Sequence, residues 1–132
     1  MSTLAVGDVL PEQLYAVTRA DLVAYADASG DQNPIHQDEE VALSVGLPGV
    51  IAHGMYTLAL VGTAVATWTG GAEVVELGSK FTSPVVVPAV GGAEVVVNGT
   101  VKSAADGLVT LALEVTCEGR KVLGMPKAVV RA

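Results

Sequence analysis

Through the second half of the chain, polar and apolar residues alternate with a period of two. Val95, Val97 and Val101 oppose Glu94, Asn98 and Lys102, and Val109, Leu111, Leu113, Val115 and Cys117 share one phase. Side chains that alternate this way belong to strands with one buried face. The same period puts Val75, Leu77, Ser79 and Phe81 on an apolar face opposite Glu76, Gly78 and Lys80. Between these runs, A-A-D-G-L at 104–108 carries the Asp-Gly pair that favours a tight hairpin, and E-G-R-K at 118–121 reads as another turn.

The first half follows a different pattern. Glu12 to Val17 reads as a short strand, and T-R-A-D from Thr18 reads as a capping-box start for the helix D-L-V-A-Y-A-D-A-S. Asp38, Glu39 and Glu40 put negative charge at the start of a second short helix, where the macrodipole favours it, and Gly46 is placed to end it. Met55 to Trp68 is a long apolar run that stops before Gly70 and Gly71. It is shorter than the ~20 residues a membrane span requires, so it predicts a helix buried inside the fold. Antiparallel strands following one helix that is apolar all round predict an α+β layout, a sheet wrapped on that helix. Such a sheet has exposed edges that must be dealt with.

Composition narrows the function classes. The 132 residues fit a single domain, 1–132, with 51% hydrophobic and 16% charged residues, which excludes a disordered chain. A formal charge of −7 argues against nucleic acid as a partner. Arg19 is the only base before Lys80, and the others (Lys102, Arg120, Lys121, Lys127 and Arg131) lie in the sheet half. The start M-S-T-L-A-V-G-D lacks the basic-then-apolar pattern of a signal peptide, so the expected location is the cytoplasm. Cys117 has no partner for an internal disulfide and keeps the phase of the core residues, which reads as a buried thiol.

The candidate chemistry lies between Tyr25 and Met55. Asp31 and His36 are five apart, which on a continuous helix would separate them by about 140°. Ser29, Gly30, Asn33 and Pro34 place them on a loop instead. There a carboxylate and an imidazole form a proton-transfer pair if both reach one substrate. Taken singly, Asp31 is a turn or cap residue and His36 a packed or solvated histidine; their occurrence together with I-A-H-G-M favours a catalytic pair. Gly54 opens the apolar helix, where a free backbone N-H stabilises a developing oxyanion and the missing side chain lets substrate approach; the bland alternative is a glycine that eases helix entry. Asn33 and His53 complete the candidate substrate-binding set, Asn33 to orient the loop or a catalytic side chain, His53 for packing, helix entry or direct chemistry. Two histidines, one cysteine and no acidic pair at metal spacing argue against a metal site, and V-G-T-A-V and G-G-A do not follow the dinucleotide glycine pattern, so no cofactor is expected.

S-G-D-Q-N-P-I-H-Q-D followed by I-A-H-G-M resembles the MaoC-like (R)-specific hydratases and dehydratases, and the likeness extends from V-G-D-V-L-P to the closing strands. V-T-R-A-D-L-V-A-Y-A before the motif and T-W-T-G-G after the helix are similar to the catalytic B-type subunits of actinobacterial (3R)-hydroxyacyl-acyl carrier protein dehydratases. The resemblance implies a hot-dog fold and interconversion of 3-hydroxyacyl and trans-2-enoyl thioesters of acyl carrier protein or CoA. It implies His36 as the base and Asp31 as the acid in dehydration, and a homodimer or a heterodimer with a related hot-dog subunit. A stand-alone (R)-enoyl-CoA hydratase and a non-catalytic acyl-thioester-binding subunit are the rival readings. One departure stands out: some hydratases of the family carry a hydroxyl residue eight positions after the motif glycine, where this chain has Gly62. The small residues Ala59, Gly62, Ala64 and Ala66 leave room for an acyl chain, or let the helix lie close to the sheet.

Overall fold

The structure, a computed structural model, describes residues 4–131, so both ends of the expected 1–132 domain lie outside the described residues. Six strands, β1 (Val9–Val17), β2 (Glu73–Phe81), β3 (Ala93–Ala105), β4 (Leu108–Cys117), β5 (Arg120–Lys121) and β6 (Leu123–Arg131), form one antiparallel sheet. Its order is β1-β3-β4-β6-β2, with the short β5 paired to β4. Three helices, α1 (Arg19–Ser29), α2 (Glu39–Ser44) and α3 (Gly54–Thr69), and a 3₁₀ turn at Pro34–His36 all fall between β1 and β2. This is the α+β layout that the change of period implies.

The centre of the sheet follows its sequence closely. Val95, Val97 and Val101 of β3 and Val109, Leu111, Leu113, Val115 and Cys117 of β4 are all buried, with Val97 paired to Val115 and Val101 to Leu111. Asp106 and Gly107 both take positive φ, 56° and 76°, as a tight hairpin of matching twist demands. Trp68 ties α3 to the sheet, since its indole N-H donates to the Pro11 carbonyl at 2.7 Å. The capping box of α1 forms as expected: the Thr18 hydroxyl accepts from the Asp21 N-H, and the Asp21 carboxylate accepts from the Thr18 N-H at 2.8 Å.

Three expectations need correction. β1 begins at Val9 rather than Glu12, because the chain regains its pairing with β3 after an irregularity between Leu10 and Gln13. α3 buries only one side: Val61, Ala64, Val65 and Trp68 are covered, while Met55, Ala59, Thr63 and Ala66 are exposed. The helix lies on one face of the sheet, and nothing among the described residues covers its far side. In β2, Val75 and Phe81 are 46% and 57% exposed. That strand has a neighbour on one side only, and a bulge between Val74 and Glu76 disturbs its phase.

Candidate active site

The loop after α1 is held by its own short side chains. The Ser29 hydroxyl accepts from the Asp31 N-H, the Asp31 carboxylate from the Asn33 N-H, and the Asn33 side-chain oxygen from the Ile35 N-H, each at 3.2 Å. These Asx-type turns start the 3₁₀ turn that carries His36. Asn33 therefore orients the loop, one of the two roles its position suggests. The loop is also tied to the segment before α3, because the Ile51 N-H donates to the Ile35 carbonyl and the His36 ring bonds back to Ile51.

That ring bond fixes the chemistry of His36. Nδ1-H donates to the Ile51 carbonyl at 2.7 Å, which leaves Nε2 with its lone pair. Burial pushes the His36 pKa below the ordinary imidazole range; the bond to Ile51 opposes this, the neighbouring His53 adds to it, and the Asp31 charge opposes it. An imidazole kept neutral in this way can take a proton at neutral pH. A carboxylate oxygen of exposed Asp31 and one ring nitrogen each of His36 and His53 lie within 4.8 Å of one another.

His53 works from behind. Its Nε2-H donates to the Asp31 carbonyl at 3.1 Å, its ring stacks on His36 with centroids 3.8 Å apart, and Tyr25 meets it edge-on at 4.8 Å. It is 2% exposed and does not line the cavity described below. Of the roles open to it from sequence, the geometry favours fixing the loop and the His36 ring. The trio is also a poor cation site. A metal lies in the plane of each imidazole that binds it, about 2.0–2.1 Å from nitrogen for zinc, and two rings stacked with a 24° tilt keep their lone pairs in nearly parallel planes.

A cavity of 310 Å³ opens beside the loop, lined by His36, Ile51, Ala52, Gly54 and Thr57 on one side and by 81–85, Val122 and Leu123 on the other. Gly54 is the first residue of α3, and its N-H makes no bond to any described group, whereas the Tyr56 and Thr57 N-H groups fold back on the His53 carbonyl. A methyl group added to Gly54 would sit 2.9 Å from the Phe81 ring. Close approach at Gly54 is thus already used, by Phe81. The wall from Phe81 to Val85 and the contribution of Thr57 are absent from the sequence reading. The break of alternation at T-S-P is the one signal that something other than a strand follows Phe81.

An antiparallel sheet carrying one long helix, with His36 and a free helix-start N-H at one cavity and an Asp31 carboxylate oxygen within 4.8 Å of a His36 ring nitrogen, has the layout of a hot-dog protein. The chain belongs to the family of MaoC like domains, whose model matches residues 4–119. It is 38% identical over 82 residues to 3-hydroxyacyl-thioester dehydratase X of Mycobacterium tuberculosis (strain ATCC 25618 / H37Rv), a match covering 62% of this chain and 29% of that one. It is 36% identical over 84 residues to the mitochondrial 3-hydroxyacyl-[acyl-carrier-protein] dehydratase of Arabidopsis thaliana, covering 64% and 50%. A solved MaoC-like dehydratase superposes with a TM-score of 0.93 at 38% identity, over 97% of this chain and 40% of that one. The matches span half or less of these longer proteins.

Proposed function

We propose that the chain dehydrates (3R)-3-hydroxyacyl thioesters to trans-2-enoyl thioesters and catalyses the reverse hydration. The observation that carries this reading is the meeting of His36 and the unpartnered Gly54 N-H at one cavity, with the Asp31 carboxylate beside them. In dehydration His36 Nε2 takes the proton from the carbon next to the thioester carbonyl. The freed electron pair becomes the C=C bond as the C-O bond breaks, and the Asp31 carboxyl group delivers the proton with which the hydroxyl leaves as water. Charge that builds on the thioester oxygen meets the Gly54 N-H at the positive end of α3. In hydration a water held between Asp31 and His36 reverses each transfer.

The acyl group is carried by acyl carrier protein or by CoA, and the reading favours the catalytic subunit of a carrier-protein dehydratase of type II fatty acid synthesis, working with a hot-dog partner. Free edges at both ends of the sheet support a partner. Three of the late bases, Lys121, Lys127 and Arg131, are already paired with Glu114, Glu76 and Glu73, which leaves Lys80, Lys102 and Arg120 as the more available cations for an acidic carrier. None of the described helices is long and apolar enough to cross a membrane. The test is hydration of crotonyl and longer enoyl thioesters of CoA and of carrier protein by the purified chain, followed by loss of the enoyl-thioester absorbance. Turnover of CoA substrates alone would favour the stand-alone hydratase, and no turnover of either would favour a non-catalytic acyl-binding subunit.

A further inference from the structure

We propose that the Thr57 hydroxyl is a second hydrogen-bond donor to the substrate's thioester oxygen, working beside the Gly54 N-H. This rests on the reading of the cavity as an acyl-thioester site, and goes beyond it by giving a substrate-touching role to a residue outside both sequence motifs. Thr57 differs from the other threonines of α3. Thr63, Thr67 and Thr69 donate their hydroxyls to the carbonyls of Ala59, Thr63 and Val65, four residues back, at 3.1, 3.0 and 2.8 Å. A helical threonine commonly satisfies its hydroxyl in this way. The Thr57 hydroxyl makes no bond to any described group. The carbonyl four residues back from it belongs to His53, and that carbonyl already accepts from the Tyr56 N-H at 3.0 Å and the Thr57 N-H at 3.2 Å.

That hydroxyl is not sealed in. Thr57 is only 3% exposed, yet it lines the 310 Å³ cavity. Its oxygen is not among the described buried polar atoms that reach neither a partner nor open space, which are the Tyr15 hydroxyl and His53 Nδ1. A buried hydroxyl without a partner is unfavourable, so its partner must come from what fills the cavity. The other hydroxyls of the wall are placed differently: that of Thr82 donates to the Lys121 carbonyl at 3.3 Å, and Ser83 is only half-buried.

Helix geometry decides which substrate atom Thr57 meets. The Cα–Cβ bonds of a helix tilt toward its N-terminus and residues three apart share a face. Thr57 therefore leans over the first turn of α3, where the Gly54 N-H is also without a described partner. An oxygen lodged there accepts from both donors, one from the main chain and one from the side chain. Removal of the proton next to the carbonyl drives charge onto the thioester oxygen, and the side chains of Ile51, Ala52, Val85, Val122 and Leu123 in the same cavity offer it no donor. Two donors spread that charge where one leaves much of it unpaired. The departing hydroxyl already has Asp31 and His36 on its side of the site.

Thr57→Val keeps the shape and removes the donor, while Thr57→Ser keeps the donor. In hydration of crotonyl-CoA and of crotonyl-carrier protein, Thr57→Val should lower kcat by about 10²-fold with KM little changed, and Thr57→Ser should stay within about fivefold of wild type. The melting temperature of Thr57→Val should be no lower than that of wild type, since the lost hydroxyl holds nothing in the fold. A second readout needs no turnover. The butyryl thioester of either carrier, ¹³C-labelled at the carbonyl, is saturated and cannot be hydrated. In difference infrared spectra of the bound molecule, its carbonyl stretch should lie lower on wild type and Thr57→Ser than on Thr57→Val. Wild-type kcat in Thr57→Val, or a carbonyl stretch that the substitution does not move, would overturn the inference and leave the dehydratase reading standing. A wild-type chain that turns over neither crotonyl thioester, yet shows the stretch depending on Thr57, would support the donor and defeat the dehydratase reading.

Discussion

The paired centre of the sheet and the rim that carries the site are built on opposite terms. In β3 and β4 each strand has neighbours on both sides, so burial follows the two-residue period residue by residue. The rim consists of the Ser29–His36 loop, the start of α3 and the end of β2. It is held by single hydrogen bonds, one ring stack and the fit of Phe81 on a glycine. The contrast teaches that the residues that hold the fold and those proposed for the chemistry are different: the centre is paired on both sides of each strand, while the rim keeps the Asp31 carboxylate exposed, the His36 pKa lowered by burial and the Gly54 N-H free of any described partner.

The sharpest way to break the comparison is at the rim. His36→Ala and Asp31→Asn should each lower kcat by about 10²–10⁴ in steady-state assays while thermal melts stay close to wild type, because each removes one proton-transfer partner. The reverse pattern is expected at the centre. Leu111→Ala, at a fully buried site, should destabilise by about 2–5 kcal/mol in denaturant titration, and its folded fraction should retain wild-type turnover.

Gly54→Val should cost activity by about 10² through blocked approach to the N-H, with a smaller loss of stability because the Phe81 ring must give way. Adding Phe81→Ala should return stability and not activity. If activity returns as well, the glycine serves packing alone. The smallest effect belongs to Val75→Ala, expected within about 0.5 kcal/mol for the isolated chain because the side chain is exposed. In pH profiles the sign follows from His36. Its pKa is lowered mainly by burial, so in the dehydration direction, where His36 is the base, kcat/KM should hold as pH falls into the ordinary imidazole range and drop only below it, where Nε2 becomes protonated.

How legible each region was follows from the range of its contacts. The capping box at Thr18, the Asp-Gly hairpin and the alternation of β3 and β4 are local signals, and the sequence reading anticipated them. The Asp31–His36 loop was legible for the same reason: Ser29, Asp31, Asn33 and Pro34 make their turns within a few residues of one another. What escaped depends on distant partners. Nothing local says that Val75 and Phe81 lie on an edge strand, that Phe81 comes to rest on Gly54, or that Trp68 bonds to Pro11 across 57 positions. The half-open α3 escaped because its composition is apolar on every side, whatever the sheet covers. His53 could be placed in the motif, but its role behind His36 needed the ring stack.

The central claim, that His36 moves the proton at the carbon next to the thioester carbonyl, is tested most directly by running hydration of crotonyl thioester in D₂O and reading the product by NMR. The wild-type chain should give (3R)-3-hydroxybutyryl thioester with one deuteron on that carbon, and folded His36→Ala should incorporate it at least about 10²-fold more slowly. Incorporation by His36→Ala at the wild-type rate would contradict the claim.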